Sequence, residues 1–451
     1  MKLRPILWAL SAGILLMACE TQNTAWKETS NDPEIVHRSM KKLTDVIVHD
    51  IFSPPVASRV YAYPSIAAYE VIQHMDPSYQ SMANQLNQLL APPPPEAGKD
   101  YCYPLASIQA FLQVGKALIF SEEKITSFQE ELLAEFEAMG VPRSVMNRSI
   151  AYGDTVAQHI LDYSKTDNYK ETRTYPKYTI PKDPAKWKPT PPDYMDGIEP
   201  HWREIRPFVL DSAQQFSPPP PTAFNLDKES TFMKETMEVY HALQVEGEEK
   251  EERIEIARFW DCNPYVSNHA GHVMFATKKI TPGGHWIGIS EIACKQADAS
   301  FLESVHTYAR VSIALADAFI SCWDEKYRSN LIRPETVINI YIDEEWRPTL
   351  QTPPFPEHTS GHSVISRSAA ITLTELFGDN FAFVDTVEEE YGLPVRSFSS
   401  FLQASEEAAV SRLYGGIHYR PAIDYGVAQG EKVGKFINSR LQTHTQQLGQ
   451  R

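Results

Sequence analysis

Three short segments in the last third of the chain concentrate side chains that could hold an anion. In chain order they supply cations, a hydroxyl followed by a glycine, and two histidines: Lys326, Arg333, Ser360, Gly361, His362, Arg412 and His418. Lys and Arg offer only hydrogen-bond donors, and the planar guanidinium matches the oxygens of an oxyanion in pairs. The segments therefore predict a donor-only pocket for a tetrahedral oxyanion, with two histidines left for chemistry.

Two of these segments carry the signals of a helix start. Pro334 follows Arg333 directly, and because proline favours the first helical turn, Arg333 is expected where a helix begins. Ser360 and Gly361 precede a helical pattern over residues 363–377. A helix N-terminus has free backbone N–H groups and a dipole that favours negative charge. We therefore expect backbone donors to join the side-chain donors.

The third segment needs a break in its helix to be useful. Six residues on one uninterrupted helix would place Arg412 and His418 about 240° apart, on different faces. Gly415 and Gly416 lie between them, and glycine commonly ends a helix and turns the chain. Pro421 then suits the start of the next helix. The sequence thus predicts that His418 lies just ahead of a helix, within reach of Arg412.

The elements that must position these residues are helices. Apolar residues recur at three- and four-residue intervals over residues 34–51, 121–139, 143–163, 248–259, 300–323, 363–377 and 405–414. No series of alternating strands is evident. We therefore predict an all-α fold, a packed helical bundle.

A long proline- and aromatic-rich stretch over residues 166–224 interrupts this pattern. Structureless loops of more than about 15 residues are uncommon unless they are functional. Two interpretations stay open: the stretch roofs the site, or it wraps the surface. We predict the divisions 1–18 for a signal peptide, 19–33 for a linker, 34–223 for an N-terminal helical layer with this loop, and 224–451 for the catalytic region of the same domain.

Composition excludes some function classes. The chain has 451 residues, 42% hydrophobic and 22% charged, which is an ordinary globular mixture. Its net charge of −16 disfavours a nucleic-acid or anionic-membrane surface. An anion site must therefore be a local concentration of positive charge.

The first residues resemble a bacterial lipoprotein signal. Lys2 and Arg4 precede an apolar run over residues 5–18, which ends in Leu16-Met17-Ala18 before Cys19. A run of about 14 residues is shorter than the roughly 20 that span a bilayer. We expect Cys19 to be lipidated, and the exported chain to be soluble and anchored to the cell envelope at its N-terminus.

The remaining cysteines and a group of histidines give no recognisable metal motif. Cys102, Cys262, Cys294 and Cys322 show no CxxC spacing, so a zinc cluster is not predicted, and disulfides or free thiols both stay open. For His269, His272 and His285, no carboxylate or cysteine completes a recognisable ligand set. They are interpreted as hydrogen-bonded loop histidines.

The three segments together resemble the signature shared by vanadium haloperoxidases and type 2 phosphatidic acid phosphatases. The matching residues are Lys326-x6-Arg333-Pro334, Ser360-Gly361-His362 and Ser411-Arg412-x5-His418. The resemblance implies that Lys326, Arg333, Arg412, Ser360 and the Gly361 N–H bind the oxygens of vanadate. It also implies that His418 is the direct vanadium ligand and that His362 is the acid–base residue.

The shared pocket leaves more than one function open. In a vanadium-dependent haloperoxidase, hydrogen peroxide and a halide are the substrates. In an acid phosphatase, His418 would form a phosphohistidine and His362 would protonate the leaving group. A non-catalytic phosphate-binding lipoprotein is a third interpretation.

Residues around the pocket favour the peroxidase. Trp323 and Phe355 correspond to aromatic positions that flank vanadate in haloperoxidases. The phosphatase signature places Asp four residues after the nucleophilic His, whereas this chain has Ala422 there and Asp424 beyond it. The sequence therefore leaves the residue that hydrogen-bonds to the ring of His418 unassigned.

A closer resemblance is to the bacterial branch of vanadium haloperoxidases, nearest to the flavobacterial iodoperoxidases. It depends on the run from Phe259 to Tyr265, on the prolines before Ser360, and on Tyr414-Gly-Gly-Ile-His418-Tyr419. It implies oxidation of iodide, and possible bromide oxidation, to hypohalous acid. It also implies that Tyr265 lines the pocket and that Asp261 pairs with Arg412.

Overall fold

The described structure, a computed structural model, covers residues 24–270, 273–276 and 278–444. The predicted signal peptide, Cys19 and His272 lie outside these residues. Helices dominate this part of the chain, so the all-α prediction is confirmed. None of the described helices is long and apolar enough to cross a bilayer.

The helices follow one another in this order: α1 (Trp26–Thr29), α2 (Glu34–His49), α3 (Pro54–Ile72), α4 (Tyr103–Ala117), α5 (Glu122–Ala138), α6 (Arg143–Ser164), α7 (Tyr169–Thr172), α8 (Thr231–His241), α9 (Glu248–Phe259), α10 (Pro282–Gln296), α11 (Phe301–Ser329), α12 (Pro334–Tyr341), α13 (Gly361–Phe377), α14 (Phe401–Tyr414) and α15 (Arg420–Arg440). Three short 3-10 helices (Gln73–Met75, Trp202–Glu204 and Glu389–Tyr391) and two antiparallel hairpins complete the regular structure of the described residues. The hairpins pair β1 (Ser267–Ala270) with β2 (Val273–Ala276), and β3 (Phe383–Asp385) with β4 (Arg396–Phe398).

Helix α11 runs through the centre of the molecule. It is buried along nearly its whole length and packs against α3, α10, α13 and α15, as expected of a helix surrounded by others. Ser300 and Glu303 form a capping box at its start. The helix extends past the predicted end at residue 323 to Ser329, so Lys326 lies on its last turns.

The helices that carry the other site residues pack closely behind α11. Helix α15 approaches α13 where Gly430 meets Val364, and a Cβ at residue 430 would lie 2.1 Å from the Val364 carbonyl oxygen. Only glycine permits this contact. The two helices whose starts flank Ser360 and His418 are therefore held backbone to backbone.

The irregular stretch over residues 166–224 packs across the end of α11. The Ile198 carbonyl accepts hydrogen bonds from Trp323 Nε1 at 3.2 Å and from the Tyr327 hydroxyl at 2.6 Å. The Ile332 N–H bonds to the Ala185 carbonyl, on the same side of the molecule. None of its residues is among those that line the cavity described below. The stretch therefore contacts the site through Trp323, a lining residue that it holds by the hydrogen bond to the Ile198 carbonyl.

Candidate active site

Helix starts bring the predicted residues together as expected. Arg333 is the N-cap of α12, with Pro334 in the first turn. Ser360 is the N-cap of α13, and its hydroxyl oxygen accepts a hydrogen bond from the Ser363 N–H. The Ser360 N–H in turn donates to the Ala422 carbonyl at 2.9 Å. Two helix starts therefore lie side by side.

The glycine pair ends its helix as predicted. Helix α14 ends at Tyr414, and Gly416 adopts a positive φ of 77°, a conformation that glycine tolerates best. The chain then turns, and α15 begins at Arg420. His418 lies in this turn, and both it and Arg412 line the same cavity.

The cavity between these elements has a volume of about 40 Å³. Its polar lining is formed by Gly361, His362, Arg412 and His418, together with residues 261–263 and Gln351. Since one water molecule needs roughly 10–15 Å³ by this measure, the space suits a few waters or one small oxyanion.

Three buried cations lie at or near the cavity. Arg412 lines it, whereas Lys326 and Arg333 are not among the lining residues and contact the lining residues Phe355 and His418. Burial lowers the pKa of Lys326 to about 8 and lowers the pKa of Arg333 and of Arg412 to about 10. All three side chains are at most 2% exposed. Taking a cation out of water is costly unless an opposite charge replaces the solvent. This concentration of buried positive charge therefore favours an anion.

The donors of these cations are used in different ways. Lys326 Nζ lies within hydrogen-bond distance of the carbonyl oxygens of Pro356 and Glu357, both at 3.1 Å, and of the Thr359 carbonyl. Arg333 donates from Nε to the Phe355 carbonyl, whereas its Nη2 is buried without a hydrogen-bond partner among the described residues. A buried guanidinium N–H without an acceptor is rare, and an oxyanion oxygen would satisfy it.

His418 has a carboxylate partner that the sequence analysis missed. Its Nδ1 lies 2.8 Å from Glu357 Oε1, and its Nε2 lies 3.1 Å from Arg333 Nη1. Because arginine can only donate, Nε2 accepts here, so Nδ1 carries the proton and donates to Glu357. Burial, followed by the charge of Arg333, lowers the pKa of His418 well below its usual value. The neutral ring therefore keeps the Nε2 lone pair as its ligand or nucleophile atom.

Glu357 is fully buried, and the same oxygen also accepts the Tyr419 N–H at 3.0 Å. Burial raises the pKa of Glu357 to about 7, although Arg333 and Lys326 oppose this shift. The residue stands three positions before Ser360, in the proline-led segment. Its closeness in sequence to the Ser-Gly-His motif was the one signal that could have identified it.

His362 is the second histidine of the site, and its ring nitrogens have different partners from those of His418. A hydrogen bond to the Trp260 carbonyl, which must come from Nδ1, leaves Nε2 without a hydrogen-bond partner in the part of the chain that is described. Burial, and then the charge of Arg412, lowers the pKa of His362 well below its usual value. A neutral imidazole with a free Nε2 at a cavity wall can accept a proton from a bound reactant.

An aromatic wall lies beside the cations, as predicted. Trp323 and Phe355 both line the cavity, with ring centroids 4.9 Å apart. Lys326 Nζ lies 5.0 Å from the centroid of the Phe355 ring, close enough for a cation–π interaction. The wall keeps one side of the cavity apolar.

Two expectations about the segment after α9 are wrong. Asp261 lines the cavity and forms its ion pair with Lys279 at 2.6 Å; it acts on Arg412 only through its charge, which opposes the lowering of the Arg412 pKa by burial. Arg412 instead donates to the Trp260 carbonyl at 2.8 Å. Tyr265 is not among the described residues that line the cavity. The Tyr265 hydroxyl instead forms a hydrogen bond with the Ser53 side chain.

The interpretation of His285 as a loop histidine is also wrong. His285 lies in the first turn of α10, is fully buried, and contacts Cys262, Glu388 and Asp385. The strand residues 267–270 contain His269, whose side chain lies outside the description. All four cysteines that the structure describes are free and buried.

These features fit a tetrahedral oxyanion bound covalently to an imidazole. Arg333 Nη2 and His362 Nε2, which have no hydrogen-bond partner among the described residues, lie at or beside a cavity of suitable size. His418 Nε2 accepts from Arg333 Nη1 at 3.1 Å, so an oxyanion bound to this nitrogen would replace that hydrogen bond. The same arrangement fits vanadate as a resident group or phosphate as a reactant, because both are tetrahedral oxyanions.

Comparison with known proteins gives a consistent result. A family model described as the VCPO second helical-bundle domain matches residues 306–447. The crystal structure of a bacterial vanadium-dependent iodoperoxidase is similar to this chain, with a TM-score of 0.87 and 52% sequence identity. The match covers 92% of this chain and 98% of that one.

Two more distant structures are similar in fold alone. The holo-type bacterial vanadium-dependent chloroperoxidase has a TM-score of 0.62 and 16% identity, with coverage of 87% of this chain and 93% of that one. The apo-type structure has a TM-score of 0.62 and 14% identity, with coverage of 86% and 94%. No curated protein sequence matches the chain.

Proposed function

The chain belongs to the vanadium-dependent haloperoxidases, and from this we propose that it oxidises iodide with hydrogen peroxide, using vanadate as its cofactor. The observation that carries the assignment is the similarity, at 52% identity over nearly the whole length, to a vanadium-dependent iodoperoxidase. The buried cationic cavity beside His418 is the place where this chemistry fits.

The residues that would hold vanadate follow from the hydrogen bonds within the site. His418 Nε2 would be the ligand atom, because Nδ1 is engaged with Glu357. Arg333, Arg412 and Lys326 would balance the negative charge, and Ser360 and the Gly361 N–H would add hydrogen bonds at the start of α13. Glu357 would hold the imidazole in one tautomer and orientation, as carboxylates commonly do when they accept the second ring N–H of a ligating histidine.

When it is bound, vanadate supplies a Lewis acid that activates hydrogen peroxide toward attack by a halide. The protein supplies the rest. His362 Nε2, with its lowered pKa, would take a proton from hydrogen peroxide and return it to the product. The buried cations would stabilise developing negative charge without reorganising. Trp323 and Phe355 would keep water from one side of the reaction.

Phosphate-ester hydrolysis is the second candidate function. The contact between Glu357 and His418 supports it more strongly than the sequence motifs alone do. Ala422 leaves no Asp four residues after His418, yet Glu357 supplies the missing carboxylate at 2.8 Å. His418 is therefore oriented well enough to act as a nucleophile. The absence of a carboxylate after His418 in sequence is no longer an argument against the phosphatase, so the choice between the two depends on the similarity to the iodoperoxidase.

Reconstitution with orthovanadate distinguishes these functions. We expect iodide oxidation that requires both peroxide and vanadate. Its rate should exceed the rate of phosphate-ester hydrolysis that is measured for the vanadate-free protein. Hydrolysis without vanadate, and no halide oxidation with it, would refute the proposal. Tight phosphate retention without either activity would identify a binding protein.

Two histidine variants test the assigned roles. His418→Ala should lose vanadium retention, whereas His362→Ala should keep much of the vanadium and lose turnover. Vanadium content measured by mass spectrometry, beside the rate of iodide oxidation, separates the two effects. Normal iodide oxidation by both variants would contradict the assignment.

We also propose that the protein is an exported lipoprotein. The support is the basic start, the apolar run over residues 5–18 and the Leu16-Met-Ala-Cys19 pattern. Labelled palmitate should enter the full chain expressed in a bacterial host and should be absent from Cys19→Ala. Equal labelling of both would contradict the proposal.

A further inference from the structure

Four ionisable side chains converge beside the cavity, behind its wall. Cys262 follows α9, His285 lies in the first turn of α10, Asp385 ends β3, and Glu388 lies in the loop after it. All four are buried, at most 2% exposed. Segments far apart in the sequence therefore bring a thiol, an imidazole and two carboxylates together.

Three of the potential ligand atoms form a compact triangle. Cys262 Sγ lies 3.4 Å from His285 Nδ1 and 3.6 Å from Glu388 Oε1, and these last two atoms are 3.1 Å apart. A tetrahedral zinc ion with bonds of about 2.3 Å to sulfur and about 2.0–2.2 Å to nitrogen or oxygen would separate its ligand atoms by roughly 3.3–3.6 Å. The observed triangle therefore nearly matches one face of such a site.

The remaining carboxylate occupies the position of an outer-shell partner. Asp385 Oδ2 lies 2.8 Å from His285 Nε2, the ring nitrogen that faces away from the triangle. Ligating histidines almost always donate their second ring N–H to a carboxylate or carbonyl, which fixes the tautomer. Asp385 would leave the Nδ1 lone pair directed at Cys262 and Glu388.

We propose that Cys262, His285 and Glu388 bind a divalent cation with affinity for thiolate, and that Zn²⁺ is the ion that fits best. The ligand set of one thiolate, one imidazole and one carboxylate suits zinc and excludes magnesium and calcium, which prefer oxygen alone. Binding releases the proton of the Cys262 thiol and any proton on the His285 ring. The charge of the ion then balances the thiolate and the Glu388 carboxylate in a site without solvent.

The site would also hold one wall of the active-site cavity in place. The Trp260 ring stacks on the His285 ring at 4.6 Å, and the Trp260 carbonyl accepts hydrogen bonds from Arg412 and from His362. Cys262 itself lines the cavity, which gives an ion a path to the site. A metal there would link the segment after α9 to α10 and to the hairpin of β3 and β4. It would thereby fix the Trp260 carbonyl, which accepts from Arg412 and His362.

Zinc content of the vanadate-loaded protein tests the proposal. The protein is incubated with Zn²⁺ at neutral pH, passed through a desalting column, and assayed for zinc and vanadium by mass spectrometry. We expect one zinc per chain. Cys294→Ser is the matched control, because Cys294 is an equally buried thiol on α10 whose neighbours are Thr307 and Ser304. It should keep the zinc, whereas Cys262→Ser should lose it.

A second pair of measurements keeps the test independent of folding. Cobalt should give a thiolate-to-metal charge-transfer band that is absent from Cys262→Ser and present in Cys294→Ser. Asp385→Asn and Glu388→Gln preserve side-chain size, and Asp385→Asn should weaken zinc binding by roughly 10- to 100-fold. The proposal would be overturned if the unaltered protein took up no zinc. It would also be overturned if Cys262→Ser and Glu388→Gln took up as much zinc as the unaltered protein, and the cluster would then be a buried ion pair without a metal.

Discussion

Replacing Arg333 by lysine tests the reasoning about the buried cavity most directly. The guanidinium donates from Nε to the Phe355 carbonyl at 3.0 Å and from Nη1 to the Ile417 carbonyl at 2.8 Å, so these atoms are occupied. Nη2 has no partner in the described structure. It is therefore the guanidinium atom that is free to bind an oxygen of vanadate.

Arg333→Lys keeps the positive charge but removes this donor. A hydrogen bond to a charged group contributes about 1.5–3 kcal/mol, which corresponds to roughly a 10- to 150-fold change in affinity. The charge of the lysine retains most of the long-range attraction. We therefore expect the Kd for vanadate to rise by roughly 10- to 100-fold, with iodide oxidation recovered at high vanadate concentration.

Equilibrium dialysis with vanadate, followed by vanadium analysis, measures the change. Arg310→Lys is the control, because Arg310 is an equally buried arginine on α11 that bonds to Glu375 and Asn438, away from the cavity. It should lower the unfolding temperature without changing the Kd for vanadate. A Kd for Arg333→Lys within about threefold of the unaltered protein, or an equal loss in Arg310→Lys, would refute the reasoning.

Three further predictions follow from particular contacts. Glu357→Ala should weaken vanadate retention and lower the unfolding temperature, because the His418 Nδ1–H loses a buried acceptor at a cost of about 1–3 kcal/mol. Glu357→Gln should recover part of both properties. Unchanged vanadium content in the alanine variant would argue against the role assigned to Glu357. Gly416→Ala should lower the temperature of thermal unfolding by more than Gly98→Ala does. Both glycines have positive φ, but only at residue 416 would a Cβ lie 3.1 Å from neighbouring atoms. Equal losses in the two variants would show that this close contact is unimportant. Burial raises the pKa of Glu70 to about 7, so its contribution to stability is present below the usual carboxyl pKa and is lost as pH rises through 7. The free energy of unfolding of Glu70→Gln, relative to that of the unaltered protein, should therefore increase by up to roughly 3 kcal/mol as the pH rises from about 5 to about 8. Denaturant unfolding measures both values, and a difference that does not change with pH would contradict this prediction.

Local features of the sequence were sufficient to predict how each motif begins or ends its helix. Proline after Arg333, serine and glycine before residue 362, and the glycine pair before His418 act over one or two turns. Their structural consequences are therefore encoded within a few residues. The helix starts at Arg333 and Ser360, and the end of α14 before His418, could be predicted for this reason.

The helix ends were harder to predict than the helices. Helix α11 continues to Ser329 and α14 begins at Phe401, each several residues beyond the apolar pattern. Tertiary packing extends a helix where neighbouring elements cover it, and a periodic pattern alone does not contain that information.

The sequence by itself determined the cations, the two histidines and the helix starts that carry them. Only the tertiary structure decided their partners. Glu357 reaches His418 across 61 positions, and His285 meets Asp385 across 100. Such contacts depend on how helices pack, because a buried polar group needs a hydrogen-bond partner, and the partner can come from any part of the chain that the fold brings within reach.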